Sequence, residues 1–297
     1  MSTAHPVLPE FDYIKPAGLV EASQFLAQHA GEARVFMGGT DTIVRMRDGF
    51  WKDKYLVDVK SLPGMTDIHF DPAKGLEIGA AVCMNKVIAN ADVRANYPLL
   101  AQAAESVASY QLRSRATIAG NICNASPAGD TSGACLAYGG KVRVHGVDGV
   151  REEPLATFFK SPGKSALKPG DIVTAVVLPL PPKGHVGRYL KLNRNKVGDL
   201  AIIGVTVLAY PDTTAASGLR FRIALASVAP TPTMPATAEA ILADKPITAE
   251  TVVEAAEAAM NWVKPIDDVR GTARYRKMMV RNLTRKGIET VLESLKK

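Results

Sequence analysis

A short apolar run that meets two glycines constrains the fold of this chain more than any other feature. Residues 35–49 read VFMGGTDTIVRMRDG, so the pattern of a buried strand ends at Gly38 and Gly39 and a helical pattern follows. Glycine accepts positive φ angles and lets another group approach the backbone closely. The sequence therefore predicts a tight strand-to-helix turn, which is either purely structural or lies against a ligand.

The start of the helix after this turn has the chemistry of a phosphate site. Its first N–H groups lack partners within the helix, and the helix dipole is positive there. Thr40 can cap the helix or donate its hydroxyl to a phosphate oxygen. The carboxylate of Asp41 would repel a phosphate, so we expect it to cap the helix or to point away.

A second stretch, residues 116–130, reads ATIAGNICNASPAGD and contains almost no bulky side chain. Its small and polar members are Gly120, Asn121, Asn124, Ala125, Ser126, Gly129 and Asp130. Small residues allow a ligand to contact the backbone, and the amide, hydroxyl and carboxylate groups give directional hydrogen bonds. We interpret the stretch as a long functional loop, with a purely structural loop as the alternative.

The order of predicted elements divides the chain into three parts. Residues 10–60 alternate strand and helix, as in a small α/β unit. Residues 62–180 add strands, a helical region interrupted at Pro98 and a hairpin across 146–149. After a proline-rich boundary at 179–185, three successive strands precede two helices and a long amphipathic C-terminal helix. This third part is predicted to be an α+β layer, with helices on one face of a three-stranded meander.

Hydropathy and cysteine usage exclude several classes of protein. No run approaches 18 uninterrupted apolar residues, so we expect no membrane span. The first 16 residues lack a basic start followed by an apolar block, so no signal peptide is predicted. Cys83, Cys123 and Cys135 form no CxxC pair, which disfavours a zinc site or an iron–sulfur cluster in this chain. Free thiols predict a cytoplasmic protein.

The chain is basic, with a formal net charge of +7. Such a charge is compatible with a nucleic-acid-binding module. The basic residues are spread along the chain, however, and the nearest approach to a cluster is RGTARYRKMMVRNLTRKG at 270–287. We interpret that segment as a solvated helix face or as a patch that faces an anionic cofactor or partner, and we expect no nucleic acid.

Other candidate residues carry weaker signals. Lys191, Arg194 and Asp199 lie in YLKLNRNKVGDLAIIGV, where they either border a site or are only solvated. The five histidines share no metal-ligand spacing, and the GxSxG, HExxH, Walker and GxGxxG motifs do not occur. The residues therefore indicate no catalytic nucleophile, no general base and no metal site.

Taken together, these segments resemble the FAD-binding medium subunit of molybdenum hydroxylases, the family of xanthine dehydrogenase and aerobic carbon monoxide dehydrogenase. MGGTDTIVRMRDG is similar to the first flavin loop of that family, and TIAGNICNASPAGD to the second. FDYIKPAGLVEAS resembles its opening, YLKLNRNKVGDLAIIGV its K…R…D-x-A…V segment, and DVRGTARYRKMMVRNL its closing helix. Met37, Thr40, Asp41 and Ala119 depart from the family pattern, and alanine at 119 requires a negative φ.

The resemblance implies an α+β fold in which FAD lies between two parts of one domain. Residues 1–180 would form an FAD-binding domain of the vanillyl-alcohol-oxidase/MurB type, with parts 1–61 and 62–180. Residues 181–297 would form a C-terminal α+β domain around a three-stranded antiparallel sheet. By position, the implied cofactor-binding residues are Met37, Gly38, Gly39, Thr40, Asp41, Thr42, Thr117, Ala119, Gly120, Asn121, Ser126, Asp130, Lys191 and Asp199.

The implied function is electron transfer by an FAD-binding oxidoreductase subunit with no catalytic residue of its own. A large subunit with the molybdenum cofactor would hydroxylate a substrate. A small subunit would pass the electrons through 2Fe–2S clusters to the FAD, which hands them to an external acceptor. The resemblance implies a dimer of such heterotrimers. Two alternatives stay open: a stand-alone FAD oxidoreductase of the MurB or alcohol-oxidase type, and a non-catalytic basic binding module.

Overall fold

The computed structural model describes residues 7–195 and 197–296. The first six residues, which include His5, lie outside the described residues, as do Lys196 and Lys297. The expectation that the chain has no signal peptide concerns the first 16 residues, and the first six of these lie outside the described residues.

The first part of the chain forms a three-stranded parallel sheet. Its strands are β1 (Asp12–Ile14), β2 (Ala33–Phe36) and β3 (Tyr55–Asp58), in the order β1-β3-β2. Parallel strands need crossover connections, and helices α1 (Leu19–Gln28) and α2 (Thr42–Arg47) lie in the two crossovers. Ala22 and Leu26, one helical turn apart on α1, are both buried. The α/β unit predicted for residues 10–60 is thus present.

The second part is built on a five-stranded antiparallel sheet with the order β4-β5-β10-β6-β7. Its strands are β4 (Ile68–Asp71), β5 (Gly75–Gly79), β6 (Lys141–Gly146), β7 (Gly149–Pro154) and β10 (Ile172–Leu178). A two-stranded sheet pairs β8 (Phe159–Ser161) with β9 (Lys164–Ser165). The central strand β10 reads IVTAVVL because it is buried on both faces.

The second part also contains seven helices between residues 84 and 158. They are α3 (Met84–Ala89), α4 (Ala91–Asn96), α5 (Pro98–Glu105), α6 (Tyr110–Arg113), α7 (Ile118–Cys123), α8 (Asp130–Ala137) and α9 (Leu155–Phe158). Pro98 stands at the first position of α5, where its missing N–H has no helical partner to lose.

The third part is a three-stranded antiparallel meander with helices. Its elements are β11 (Val186–Leu192), β12 (Ile203–Pro211), β13 (Leu219–Ala226), α10 (Ala236–Asp244), α11 (Ala249–Trp262) and α12 (Ala273–Leu295). Helices α10 and α12 pack on one face of the sheet, whereas α5 and α8 of the second part cover the other. The helices of the third part thus lie on one face of its meander, as predicted, and helices of the second part cover the other face. Helices therefore cover both faces of β12, and most of the side chains on both faces are apolar and buried.

Two segments differ from the sequence prediction. The helical region before residue 106 breaks at Asn90 as well as at Pro98, because the Asn90 side chain caps α4 by accepting from the Val93 N–H at 3.0 Å. Residues 116–130 are not one long loop: helix α7 takes up residues 118–123, and a turn at 124–129 leads to α8, which begins at Asp130. Thr117 caps α7 by accepting from the Gly120 N–H at 2.8 Å.

Among the described residues, no helix has both the length and the apolar character that crossing a membrane requires.

Candidate cofactor-binding site

A cavity of about 660 Å³ opens where the three parts of the fold meet. Its wall includes the turn after β2, helix α7 with the turn that follows it, and residues 167–171 before β10. Residues 198–200 of the third part complete the wall. Cavities of this size are typical of small-molecule and cofactor sites. The cavity is therefore the candidate binding site of the chain.

Both glycines of the first turn are required by the protein itself. A Cβ atom at Gly38 would lie 2.3 Å from the carbonyl oxygen of Arg115, in the segment before α7. Gly39 has a φ of 71°, and its Cβ atom would lie 2.6 Å from the ring of Phe36. The turn is thus held between Phe36 and the second part of the chain, and a side chain at either position would overlap its neighbour.

Asp41 connects the first turn to the second stretch. It stands at the N-cap position of α2, but its side chain makes no capping hydrogen bond. The carboxylate instead accepts a 2.7 Å hydrogen bond from the Nδ2 of Asn124, which is 83 residues away in the chain. Of the two alternatives expected for Asp41, capping of the helix is therefore excluded. The bond brings together the two segments that the sequence singles out.

The second stretch is fixed largely by its own side chains. The Asn121 Oδ1 accepts from the Thr131 hydroxyl at 2.7 Å, and the Ser126 hydroxyl accepts from the Ala128 N–H at 3.2 Å. Ala125 has a φ of 46°, which is strained for a residue with a Cβ atom. Its carbonyl accepts from the N–H of Gly163, so a neighbouring turn supports the strained backbone.

Asp130 anchors the inner end of the stretch in a buried cluster. Its carboxylate accepts from the Tyr189 hydroxyl at 2.6 Å and from the Lys191 Nζ at 2.9 Å. Lys191 also donates to the carbonyl of Ser106 at 3.0 Å, and the side chains of the ion pair are only 7–8% exposed. Burial raises the pKa of Asp130, and the charge and hydrogen bonds of its two partners oppose that rise.

Five aspartates line the cavity, and four of them are neutralised by basic side chains. The ion pairs are Arg34–Asp53 at 2.7 Å, Lys191–Asp130 at 2.9 Å, Arg151–Asp171 at 2.6 Å and Arg194–Asp199 at 3.7 Å. Burial acts to raise the pKa of Asp171, but hydrogen bonds from Arg151 and the Lys168 N–H hold it below its usual range. The pairing lowers the repulsion that an anionic ligand would otherwise meet.

Most of the residues that the resemblance implies for the cofactor line this one cavity. These are Met37, Gly38, Gly39, Thr40, Asp41, Thr42, Thr117, Gly120, Asn121, Ser126, Asp130 and Asp199. The other two lie behind the wall. Ala119 is buried within α7 at a negative φ, which satisfies the condition for alanine there. Lys191 does not line the cavity, but its ammonium donates a hydrogen bond to the carboxylate of Asp130, which does.

The sequence did not predict a group of stacked side chains at the cavity wall, which is formed by two arginines and a tryptophan. The Arg34 guanidinium lies 3.7 Å from the centroid of the Trp51 ring, and the Arg45 guanidinium lies 5.3 Å from it. The buried carboxylate of Asp53 holds the Arg34 Nε at 2.7 Å. Arg34, Trp51 and Asp53 all line the cavity. No motif marks them, and the only signal is that Trp51 is one of two tryptophans in the chain.

The three cysteines form no disulfide. Cys123 lines the cavity, and burial raises the pKa of its thiol to about 12, so the thiol is protonated and a poor nucleophile. Burial likewise raises the pKa of Cys135 to about 12. Across the described part of the chain, no group of three or more His, Cys, Asp and Glu residues could hold a metal ion.

Two family models cover nearly all of the chain. The FAD binding domain in molybdopterin dehydrogenase matches residues 9–181, and the CO dehydrogenase flavoprotein C-terminal domain matches residues 188–291. The first of these models covers more than half of the chain and defines the class as an FAD-binding protein. The chain belongs to the family of FAD-binding subunits of molybdopterin dehydrogenases.

Curated relatives and solved structures agree with this assignment. The chain is 30% identical to the xanthine dehydrogenase FAD-binding subunit of Escherichia coli O157:H7, over 93% of this chain and 94% of the relative. It is also 30% identical to the carbon monoxide dehydrogenase medium chain of Hydrogenophaga pseudoflava, over 94% and 96%. A structure of carbon monoxide dehydrogenase from that organism, which lacks the Mo-pyranopterin moiety, superposes with a TM-score of 0.92 at 30% identity, covering 97% and 99%.

The family resolves several expectations from the sequence. The α+β fold, the FAD cofactor, the oxidoreductase class and the electron-transfer role are confirmed. Relatives named as medium chains or FAD-binding subunits imply large and small partner subunits, with the molybdenum cofactor and the 2Fe–2S clusters on those partners. Of the three functions left open, the family supports the electron-transfer subunit.

Proposed function

We propose that the cavity is the FAD site and that both glycine-bearing segments contact the cofactor. The observation that carries the proposal is that segments 83 residues apart, joined by the Asp41–Asn124 hydrogen bond, line one cavity. The residues assigned to FAD are Met37, Gly38, Gly39, Thr40, Asp41, Thr42, Thr117, Gly120, Asn121, Ser126, Asp130 and Asp199. Ala119 and Lys191 support this wall from behind.

Local features of the wall fit a dinucleotide. A Cβ atom at Gly120 would contact only the Thr117 hydroxyl, so the rest of its surroundings are open space beside the cavity. The Thr40 and Thr42 hydroxyls make no hydrogen bond within the described part of the chain, which leaves both free to donate to phosphate oxygens. The pairing of four of the five wall aspartates with basic groups favours an anionic ligand.

We place the adenine of FAD at the Arg34–Trp51 end of the cavity. A guanidinium plane and an indole present flat surfaces on which a purine stacks well. The buried Asp53 fixes the orientation of Arg34, so little conformational entropy is lost when the ring binds. This assignment predicts that the chain prefers FAD to FMN, which lacks the adenine.

The bound flavin would supply the redox chemistry, while the protein holds the flavin in position and excludes water from it. We propose that the cofactor is held non-covalently, because the two glycine-bearing segments contain no His or Tyr and burial raises the pKa of Cys123, their one cysteine. We propose that the chain works in the cytoplasm as the medium subunit of a dimer of heterotrimers. The FAD-binding domain spans residues 1–180, with parts 1–61 and 62–180, and the C-terminal domain spans 181–297.

Cofactor titration of the purified chain tests the site. After the flavin is stripped, quenching of flavin fluorescence should report tight binding of FAD and at least ten-fold weaker binding of FMN. Trp51→Ala should reduce the preference for FAD while it changes the FMN affinity little. Equal affinities for FAD and FMN in the wild type would refute the adenine assignment, and an absence of FAD binding would refute the whole proposal.

Reconstitution tests the role of the subunit. The FAD-loaded chain should be bleached by chemical reductants and reoxidised by artificial dyes. It should not oxidise aldehydes, purines, N-heterocycles or carbon monoxide alone. Dye reduction by a substrate should appear only after the molybdenum and iron–sulfur subunits are added. Substrate turnover by the isolated chain would support the stand-alone oxidoreductase instead.

A further inference from the structure

One stretch of the cavity wall has its carbonyl groups bound by cationic side chains. The Lys191 Nζ donates to the carbonyl of Ser106 at 3.0 Å. The Arg113 guanidinium donates through one nitrogen to the carbonyls of Val107 at 2.8 Å and Ala108 at 3.5 Å. Val107 and Ala108 both line the cavity. Three successive carbonyl oxygens of this wall are therefore turned toward positive charge.

The backbone of this stretch is strained at Ala108. Its φ of 44° lies in the left-handed region, which is unfavourable for a residue with a Cβ atom. In the part of the chain that the structure describes, the other non-glycine residues with positive φ are Ala125 and Ser227. Ala125 lies in the turn after α7, and Ser227 donates its N–H to the carbonyl of Pro127 in that turn. All three strained positions thus lie in or against the cavity wall, as expected where strain serves a binding site.

The hydrogen bonds of Arg113 fix the direction of the Ala108 N–H. In a planar trans peptide the C=O and the N–H point in opposite directions. The peptide that joins Val107 to Ala108 has its C=O on Arg113, so its N–H points away from the guanidinium. Arg113 does not line the cavity, whereas both residues of this peptide do. The Ala108 N–H, which has no hydrogen-bond partner among the described residues, is therefore directed toward the cavity.

Arg113 is itself held in place from behind. Its Nε donates to the Oδ1 of Asn85 at 3.4 Å. The Nδ2 of Asn85 donates to the carbonyl of Tyr110 and to the hydroxyl of Ser114, both at 2.9 Å. Within the described chain, every hydrogen bond of the half-buried Arg113 goes to an uncharged acceptor, unlike those of the four basic groups that pair with wall aspartates. Arg113 therefore adds positive charge beside the wall.

The third part of the chain, rather than the first, anchors this stretch. Arg34 and Trp51, at the proposed adenine site, belong to the first part. Residues 106–108 are tied to the third part instead, because Lys191 lies on β11. With the adenine at Arg34 and Trp51, the flavin ring of the same FAD would lie toward residues 106–108. The ring carries nitrogen and carbonyl oxygen atoms that accept hydrogen bonds from a backbone N–H.

We infer that Arg113 is a positioning residue that holds the Ala108 N–H against an acceptor atom of the flavin ring. The inference rests on the proposed function, since it adds a donor to the same cofactor site. Reduction brings two electrons and negative charge onto the ring. A fixed N–H donor with a cation behind it therefore binds reduced flavin more strongly than oxidised flavin. Arg113 thus raises the midpoint potential of the bound FAD.

The midpoint potential tests the inference, because damage that weakens both redox forms equally leaves the potential unchanged. Arg113→Met removes the hydrogen bonds and the charge of an unbranched side chain. In the FAD-loaded full chain it should weaken binding of reduced FAD about ten-fold more than that of oxidised FAD, which lowers the midpoint potential. The matched control is Arg94→Met, at an exposed position on α4, which should keep the wild-type potential.

Two further variants separate positioning from general damage. Arg113→Lys keeps the charge and can still donate to a backbone carbonyl, so its potential should lie closer to the wild type than to Arg113→Met. Ala108→Gly/Arg113→Met should bind FAD more tightly than Arg113→Met alone, because glycine adopts positive φ without strain. The double variant should still show a lowered potential, since the cation is gone. It supplies the measurement if Arg113→Met retains too little FAD.

Several outcomes would overturn the inference while FAD binding by the wild-type chain stands. These are a wild-type potential in the methionine variants, an equal fall in Arg94→Met, or no recovery in Arg113→Lys. Weaker FAD binding with an unchanged potential would also overturn it, and would assign the Ala108 N–H to the phosphates or the adenine instead. If the wild-type chain binds no FAD, the proposed function itself fails.

Discussion

The two segments that line the cavity use glycine for opposite reasons. A Cβ atom at Gly38 would lie 2.3 Å from a backbone oxygen, and one at Gly39 would lie 2.6 Å from the Phe36 ring. At Gly120 the added atom would meet only a hydroxyl, at 2.9 Å. The first turn therefore needs glycine so that the protein can close on itself. The second leaves space beside Gly120 that the protein does not fill.

This contrast changes how a bare glycine turn is interpreted. The double glycine is the more conspicuous pattern in the sequence, yet its surroundings explain it without a ligand. The second stretch has regular helices and satisfied side chains, and its unfilled space adjoins the cavity. Evidence for a ligand therefore comes from a glycine whose unfilled space adjoins a cavity, and substitutions at four positions test whether the two segments differ in this way.

The largest expected effect is at the inner end of the second stretch. Asp130→Ala removes the partner of the Lys191 ammonium, which is only 8% exposed, and leaves that charge buried. Breaking one side of a buried ion pair costs about 3–5 kcal/mol. The free energy of unfolding, measured in urea on flavin-stripped protein, should fall by this amount. Adding Lys191→Met should restore much of the loss, and a double variant as unstable as the single one would contradict the explanation.

Gly38→Ala should show the next largest loss. The obstacle is the backbone carbonyl of Arg115, which cannot rotate away as a side chain can. Overpacking of this kind costs about 1–3 kcal/mol. The matched control is Gly18→Ala, because a Cβ atom at Gly18 has no neighbour within 4 Å. Equal urea midpoints for the two variants would show that the first turn has more room than its geometry indicates.

Gly39→Ala separates backbone strain from steric overlap. Its φ of 71° alone costs roughly 1–2 kcal/mol for a residue with a Cβ atom. Gly49→Ala is the comparison, since Gly49 has a similar φ of 76° and no neighbour within 4 Å. Gly39→Ala should be the less stable of the two because of the Phe36 ring. If Phe36→Leu removes the difference in unfolding free energy, the overlap is its cause.

The sequence predicts local elements well and contacts between distant segments poorly. The parallel sheet of the first part and the meander of the third follow from periodicity within short windows. The Asp41–Asn124 and Asp130–Lys191 pairs join residues 83 and 61 positions apart, and no local pattern encodes them. The resemblance names three of these four residues for the cofactor without indicating that they bind each other.

The sequence also failed to predict helix α7 in the second stretch, for a different reason. Glycine, asparagine, serine, threonine and aspartate have lower helix propensity than the alanines among them, so TIAGNICNASPAGD is typical of a loop. The Thr117 cap and the packing of α7 against α8 and β10 outweigh that preference. The Arg34–Trp51 stack also depends on tertiary contact, because its members come from β2 and from the segment before β3.

The smallest effect on stability is expected at Gly120, where the effect on the cofactor should be large. Replacing glycine by alanine inside a helix gains about 1 kcal/mol from backbone entropy, and contact with the Thr117 hydroxyl offsets part of that gain. Gly120→Ala should therefore leave the free energy of unfolding within about 1 kcal/mol of the wild type. Its methyl group would enter the cavity, so the FAD dissociation constant should rise at least ten-fold.

Gly120→Val extends the same comparison, because its larger side chain occupies more of the space beside the backbone. It should lose FAD almost completely, while the circular dichroism of the flavin-stripped protein stays close to that of the wild type. FAD should stabilise the wild-type chain against urea and the valine variant hardly at all, since a ligand stabilises only the state that binds it. Wild-type flavin retention in Gly120→Val would mean that the open space beside α7 is not where the cofactor lies. The contrast between the two glycine segments would then reflect packing alone.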